Sequence, residues 1–168
     1  MSKLCPLTNE YVIYQVCQEC PDRMSCSSLY DDLFALLIAG TRTYDNYDEF
    51  SSVTDMLLKN HQDKNVIIVS GGATGADALA RKYAQERGLR YLEFPADWAK
   101  GKSAGYERNR KMHEYVHRFR ERGVVCFWDG ASRGTAHSFE LSREFENPIR
   151  VYCYTKKIFY DLDLTATT

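Results

Sequence analysis

From residue 33 to residue 154, five short apolar runs alternate with four longer stretches of mixed polarity, and this alternation limits the fold more than any other feature of the chain. The runs are LFALLIAG (33–40), VIIVS (66–70), RYLEF (90–94), GVVCFW (123–128) and IRVYCY (149–154). Their length and their β-branched or aromatic content suit strands. The stretches between them, about 45–60, 75–88, 104–121 and 134–146, read as helices. Strands that are apolar on both faces belong in a parallel sheet covered by helices on both sides. With right-handed crossovers, the expectation is a Rossmann-like α/β three-layer sandwich whose five-stranded, mostly parallel sheet runs in the order 3-2-1-4-5.

At 168 residues the chain has room for one full-sized core and a small appendage. Its character changes near residue 30. The expected division is a Cys-rich, metal-binding extension over 1–30, a Rossmann-fold ligand-binding domain over 31–155 and a C-terminal tail over 156–168. A net charge of −1 and a pI near 6.4 provide no global positive field, which argues against a nucleic-acid partner. No apolar run approaches membrane-spanning length, and the N-terminus lacks a basic region followed by an apolar stretch and a cleavage site. A soluble, cytoplasmic protein with no membrane partner is expected. In that compartment six cysteines are thiols or metal ligands rather than disulfides.

In the expected order the first, second and fourth strands are neighbours, so their C-terminal loops converge where such sheets bind ligands. Those loops are GTR (Gly40, Thr41, Arg42), GGATGAD (Gly71, Gly72, Ala73, Thr74, Gly75 to Asp77) and DGASRGT (Asp129, Gly130, Ser132, Arg133, Gly134, Thr135). Glycines at a strand-to-helix corner let main-chain N–H groups face a ligand at the positive end of the helix, a site suited to phosphate. The same glycines would also serve a tight corner with close helix packing. The loop lacks the Gly-Lys-Ser/Thr ending of a Walker A motif and is not a full GxGxxG fingerprint. Asp77 and Asp129 suit sugar hydroxyls or a general base, or else a helix cap and a turn. A third element, FPADWAKGKSAGYERNRKM, offers Trp98 to stack on a base, Arg108, Asn109 and Arg110 to reach phosphate or base edges, and positive charge at Lys100 and Lys102. As isolated residues, such a Trp is more often core and such a basic run a solvated face.

Four segments, IAGTRTYDNYDEF, GGATGADALARKYAQERGL, FPADWAKGKSAGYERNRKM and FWDGASRGTAHSFELSRE, together resemble the YspA-like branch of the SLOG superfamily, which also includes the Smf/DprA proteins and the Lonely guy phosphoribohydrolases. The resemblance covers roughly residues 33–153. It implies a Rossmann-like domain, often dimeric or otherwise homo-oligomeric, that binds nucleotides or nucleotide-derived molecules such as ADP-ribose or NAD relatives and cyclic or modified nucleotides. Its pocket positions map onto Gly40, Arg42, Gly71, Gly72, Gly75, Asp77, Arg108, Asn109, Gly130, Ser132, Gly134 and Thr135. The enzyme signature of the Lonely guy proteins, PGGxGTxxE, does not map. The place of its acid is Ser138, and Glu140, two residues on, points elsewhere on a helix. The expected function is therefore ligand binding by a sensor or sequestering protein. The alternative is a hydrolase of an N-glycosidic or phosphate linkage, with Asp77, Asp129 and Glu140 as candidates.

Cys5, Cys17, Cys20 and Cys26 lie within 22 residues. Cys17-x-x-Cys20 places two thiolates on a tight turn and the other two could complete a tetrahedral structural zinc site. An iron-sulfur cluster and four unconnected thiols are the alternatives. Cys126 and Cys153 fall inside strands and read as small core residues. His113 and His117, four apart on a helix without the HExxH pattern, read as exposed helix-face residues, whereas His137 sits beside the expected pocket.

Overall fold

The computed structural model describes residues 2–4, 11–13, 33–160 and 162. Two short strands, β1 (Ser2–Leu4) and β2 (Tyr11–Ile13), pair antiparallel with each other. The remainder runs β3 (Leu33–Gly40), α1 (Tyr47–Leu58), β4 (Asn65–Ser70), α2 (Ala76–Glu86), β5 (Arg90–Glu93), α3 (Ala104–His117), β6 (Glu121–Trp128), α4 (Arg133–Glu144), β7 (Ile149–Cys153) and β8 (Ile158–Tyr160). Their sheet has the order β5-β4-β3-β6-β7-β8. The first five strands of this sheet are parallel and stand in the order expected from the sequence. The expected strand count needs correction: a sixth strand, β8, returns antiparallel onto β7 with Val151 opposite Tyr160. It lies in the stretch assigned to the tail, and its three residues after two lysines are too short a run to stand out as a strand.

β3 shows why both faces of the sheet are covered. Phe34, Leu36 and Ile38 point into one layer, where they meet Phe50 and Val53 of α1 and Ala80 and Tyr83 of α2. Leu33, Ala35 and Leu37 point into the other, against Met112 and Val116 of α3. The period of two along a central strand thus requires an apolar partner on each side. α3 ends at His117, short of the stretch read as helical, because the chain must reach Glu121 in time to pair opposite Phe34. Cys126 and Cys153 are buried and unpaired in the core, as their strand positions suggest.

The strand ends are tied together at Thr41, immediately after β3. Its N–H donates to Phe127 O (2.9 Å) at the end of β6, and its carbonyl accepts from Ala76 N (3.3 Å) at the start of α2. Its hydroxyl accepts from Asp129 N (3.3 Å). Gly75 makes this junction possible. It has φ 74° and ψ −130°, and a Cβ there would lie 2.3 Å from Thr41 O and 2.5 Å from the carbonyl carbon of Arg42. The two loops therefore meet backbone to backbone, with no space for a side chain.

Two stability predictions follow from these contacts. Gly75→Ala should destabilise the fold by about 3 kcal/mol through clash and a disfavoured φ, read as a lower denaturation midpoint; an unchanged midpoint would refute the junction. The second concerns His113, which is fully buried rather than exposed, with its pKa pushed down to about 3 chiefly by burial and secondarily by His137. Below the unfolded value of about 6.5 the unfolded chain binds a proton that the folded chain refuses. The His113 contribution is thus complete above about pH 6.5 and is lost toward pH 3, at up to about 1.4 kcal/mol per pH unit. Urea titrations of the wild type and His113→Gln across that window should show a shallower acid slope in the variant.

Candidate functional site

The C-terminal ends of β3, β4 and β6 lie side by side, and the chain reverses its winding direction between β3 and β6. Above this point opens a cavity of about 560 Å³. Its walls come from four separate loops and helix starts: Gly40, Thr41 and Arg42 after β3, Ala73 and Asp77 around the start of α2, Arg108 and Asn109 in α3, and Asp129, Ser132, Gly134 and Thr135 after β6. A second cavity of about 420 Å³ adjoins it, bounded by Gly71, Gly72, Thr74, Glu93, Pro95 and Ala96. Arg42, Ala73, Trp98 and Arg108 line both.

The glycine loop is therefore divided. Asp77 faces the larger cavity, Gly71, Gly72 and Thr74 face the smaller, Ala73 borders both, and Gly75 is used in the junction with Thr41. Gly71 is required by a side chain. A Cβ there would sit 2.5 Å from Arg108 Nη1, and that nitrogen donates to Gly71 O at 2.5 Å. Arg108 Nε donates to Asn109 Oδ1 (3.1 Å), which fixes the guanidinium between the two cavities. Thr74 Oγ1 donates to Arg42 O (3.0 Å), linking the same two loops a second time. Among the expected site residues, Gly75, Gly130, Arg133 and Glu140 line neither cavity, and Glu140 is exposed on α4.

The two aspartates experience opposite environments. Asp77 is 6% exposed, and burial raises its pKa against the Ala73 N–H (3.1 Å) and the nearby Arg108 and Arg42 charges. Asp129 is held below the usual carboxylate range because its Oδ1 accepts from Ala131 N and Ser132 N, both at 2.8 Å. It shapes the turn and lines the cavity at once. Ser132 then caps α4, its hydroxyl accepting from Thr135 N at 3.5 Å, so the positive end of that helix faces the cavity. Arg108, buried with its basicity lowered by desolvation, joins the exposed Arg42 and Lys102 to form a cationic side. Trp98 is 54% exposed, and the Arg42 guanidinium lies 5.3 Å from its ring centre.

Several lining residues were not among those expected from sequence, notably Thr43, Gly105, Tyr106, Met112 and Ser138. A signal for most of them existed. Gly105, Arg108, Asn109 and Met112 repeat at helical spacing, as do Thr135 and Ser138, so one face of each helix could have been extended inward. His137 packs edge-on against Tyr106 at 4.6 Å and stands beside the cavity rather than in its wall. Cys5, Cys17, Cys20 and Cys26 lie outside the described residues. Among the described residues no group of three or more His, Cys, Asp or Glu side chains is arranged to hold a metal ion, and no helix is long and apolar enough to cross a membrane.

Comparison with known proteins gives one family. Residues 34–101 match the model of the YspA, cpYpsA-related SLOG family, a span that takes in GTR, the glycine loop and Trp98 and stops short of α3. No curated protein matches. Among solved structures, the X-ray structure of TM1055 (Northeast Structural Genomics Consortium target VT76) is similar with a TM-score of 0.49 and 16% identity, covering 68% of this chain and 71% of that one. Over residues 34–101 the chain is thus similar to the YspA, cpYpsA-related SLOG family.

Proposed function

We propose that this protein binds a nucleotide or nucleotide-derived small molecule, of the ADP-ribose, NAD-like or cyclic or modified nucleotide type, and acts as a sensor or sequestering protein. The observation that carries this reading is the cavity at the switch point of the sheet, whose volume falls in the range of about 300 to 1,000 Å³ usual for small-molecule sites. Its cationic side of Arg42, Lys102 and Arg108, together with the start of α4, suits phosphate. Trp98 offers an aromatic face beside these cations. The similarity of residues 34–101 to the YspA, cpYpsA-related SLOG family supports a nucleotide-derived ligand. Ser138, where the phosphoribohydrolases carry an acid, supports binding without turnover.

One observation favours the second reading, hydrolysis of such a ligand. Asp77 and Asp129 line one cavity with pKa values displaced in opposite directions, the pattern of an acid and a base at work together.

Thermal-shift titration against ADP, ADP-ribose, NAD, nucleoside monophosphates and cyclic dinucleotides, followed by mass analysis of the recovered ligand, separates the readings. The expected result is stabilisation by a panel member recovered intact. Arg42→Ala should weaken that binding about 10- to 100-fold, the worth of a charge-assisted phosphate contact, while leaving the unliganded melting point unchanged because Arg42 is exposed. Turnover abolished in both Asp77→Asn and Asp129→Asn would establish the hydrolase instead. If the whole panel leaves the melting point unmoved, neither reading survives.

A further inference from the structure

The floor of the larger cavity differs in chemistry from its cationic side. There α3 and α4 face each other across a seam of uncharged polar groups, with Asn109 and His113 on one helix and Ser138 and Ser142 on the other. Each pair is four residues apart, so each stands on a single helix face. Ser138 lines the cavity although its side chain is fully buried, and its Oγ has no hydrogen-bond partner among the described residues. Ser142 Oγ and His113 Nε2, deeper in the seam, are also buried and unpartnered. Asn109 Nδ2 makes two long contacts, to Gly134 O at 3.4 Å and to His137 Nδ1 at 3.5 Å, at the edge of the same seam.

The protonation of the seam can be read from its hydrogen bonds. Arg122 Nε donates to an oxygen of Asn147 at 2.6 Å, which identifies that atom as Oδ1 because a guanidinium only donates. The Asn147 amide nitrogen then faces His113, 3.3 Å from Nδ1 and 3.1 Å from the backbone carbonyl. His113 Nδ1 therefore accepts, and the proton resides on Nε2. Asn147 also donates its backbone N–H to Ser142 O at 2.9 Å, so one residue fixes the positions of His113 and Ser142 together. The Arg122 guanidinium is held away from the cavity by Asn147, Phe119 O and Glu146 O. Three polar atoms left unpartnered in one seam are destabilising unless something bonds to them.

We propose that this seam is a hydrogen-bonding subsite for the uncharged, hydroxyl-bearing part of the ligand, read at the cavity floor by Ser138 and backed by water held on Ser142 and His113. The inference rests on the reading of the cavity as a nucleotide site and adds an orientation: the phosphate lies toward Arg42 and Lys102, and the sugar lies toward the floor. Ser138 in the place of an acid is then a specificity-determining residue, because a hydroxyl can both donate to and accept from a sugar hydroxyl without the desolvation a carboxylate would suffer.

The test compares calorimetric titrations of ADP and of its dideoxyribose analogue on the wild type and on Ser138→Ala. The wild type should prefer ADP by about 2- to 10-fold, the worth of one net hydrogen bond, and Ser138→Ala should bind both at the analogue's level. In an atomic-resolution crystal structure of the free protein, water should be bonded to Ser138 Oγ and to His113 Nε2. Equal wild-type affinity for the two probes, a preference that survives Ser138→Ala, a dry seam, or failure of the wild type to bind ADP would each overturn the subsite. The broader nucleotide reading falls only if every member of the larger panel also fails.

Discussion

The cavity-bearing end of the sheet hangs on the backbone of one residue. Thr41 donates its N–H to β6, while its carbonyl accepts from α2 and its hydroxyl from the first N–H beyond β6, so two strand ends and a helix start that are distant in sequence are fixed to one another. None of these bonds involves a charged group, and each net contribution is modest, about 0.5–1.5 kcal/mol. Their importance is geometric. Gly75 allows the second loop to rest directly on the first, and the start of α2 is thereby set beneath the end of β3. The cavity walls are carried by rigid elements anchored at a common point.

Arg108 adds the second constraint. Taking a guanidinium out of water costs several kcal/mol unless its donors are used, and here Gly71 O and Asn109 Oδ1 take two of them while Asp77 offsets part of the charge. The same burial that makes Arg108 expensive holds Asp77 toward its neutral form. A glycine at position 71 is thus explained without any ligand, since a side chain would occupy the space of the guanidinium. Close packing accounts for some residues of the glycine loop and not for others. Gly71 and Gly75 serve packing, and Ala73 and Asp77 face the larger cavity.

The parts of this arrangement that were legible in the sequence are those encoded locally. Runs such as LFALLIAG and VIIVS announce buried strands by themselves, and their order sets which loops converge. Features that depend on distant partners were not legible. His113 is buried because Asn147 and Met112 are where they are, and nothing in HEYVH distinguishes it from a solvated helix face. β8 is a strand because β7 offers it an edge, although Lys156 and Lys157 before it read as a tail. Glu140 was a reasonable acidic candidate by number alone, yet the pitch of α4 sends it outward and brings Ser138 inward.

The stack of Arg42 on Trp98 has a consequence for the shape of the binding space. Both side chains are largely exposed, and both border each cavity. Exposed side chains change rotamer within picoseconds to nanoseconds, far faster than a ligand arrives or departs. Arg42 and Trp98 are consequently the movable part of the boundary between the two cavities, and Arg108, anchored to Gly71 and Asn109, is its fixed part. A change of rotamer that takes Arg42 away from the indole would widen the passage between the cavities and uncover the aromatic face in the same movement.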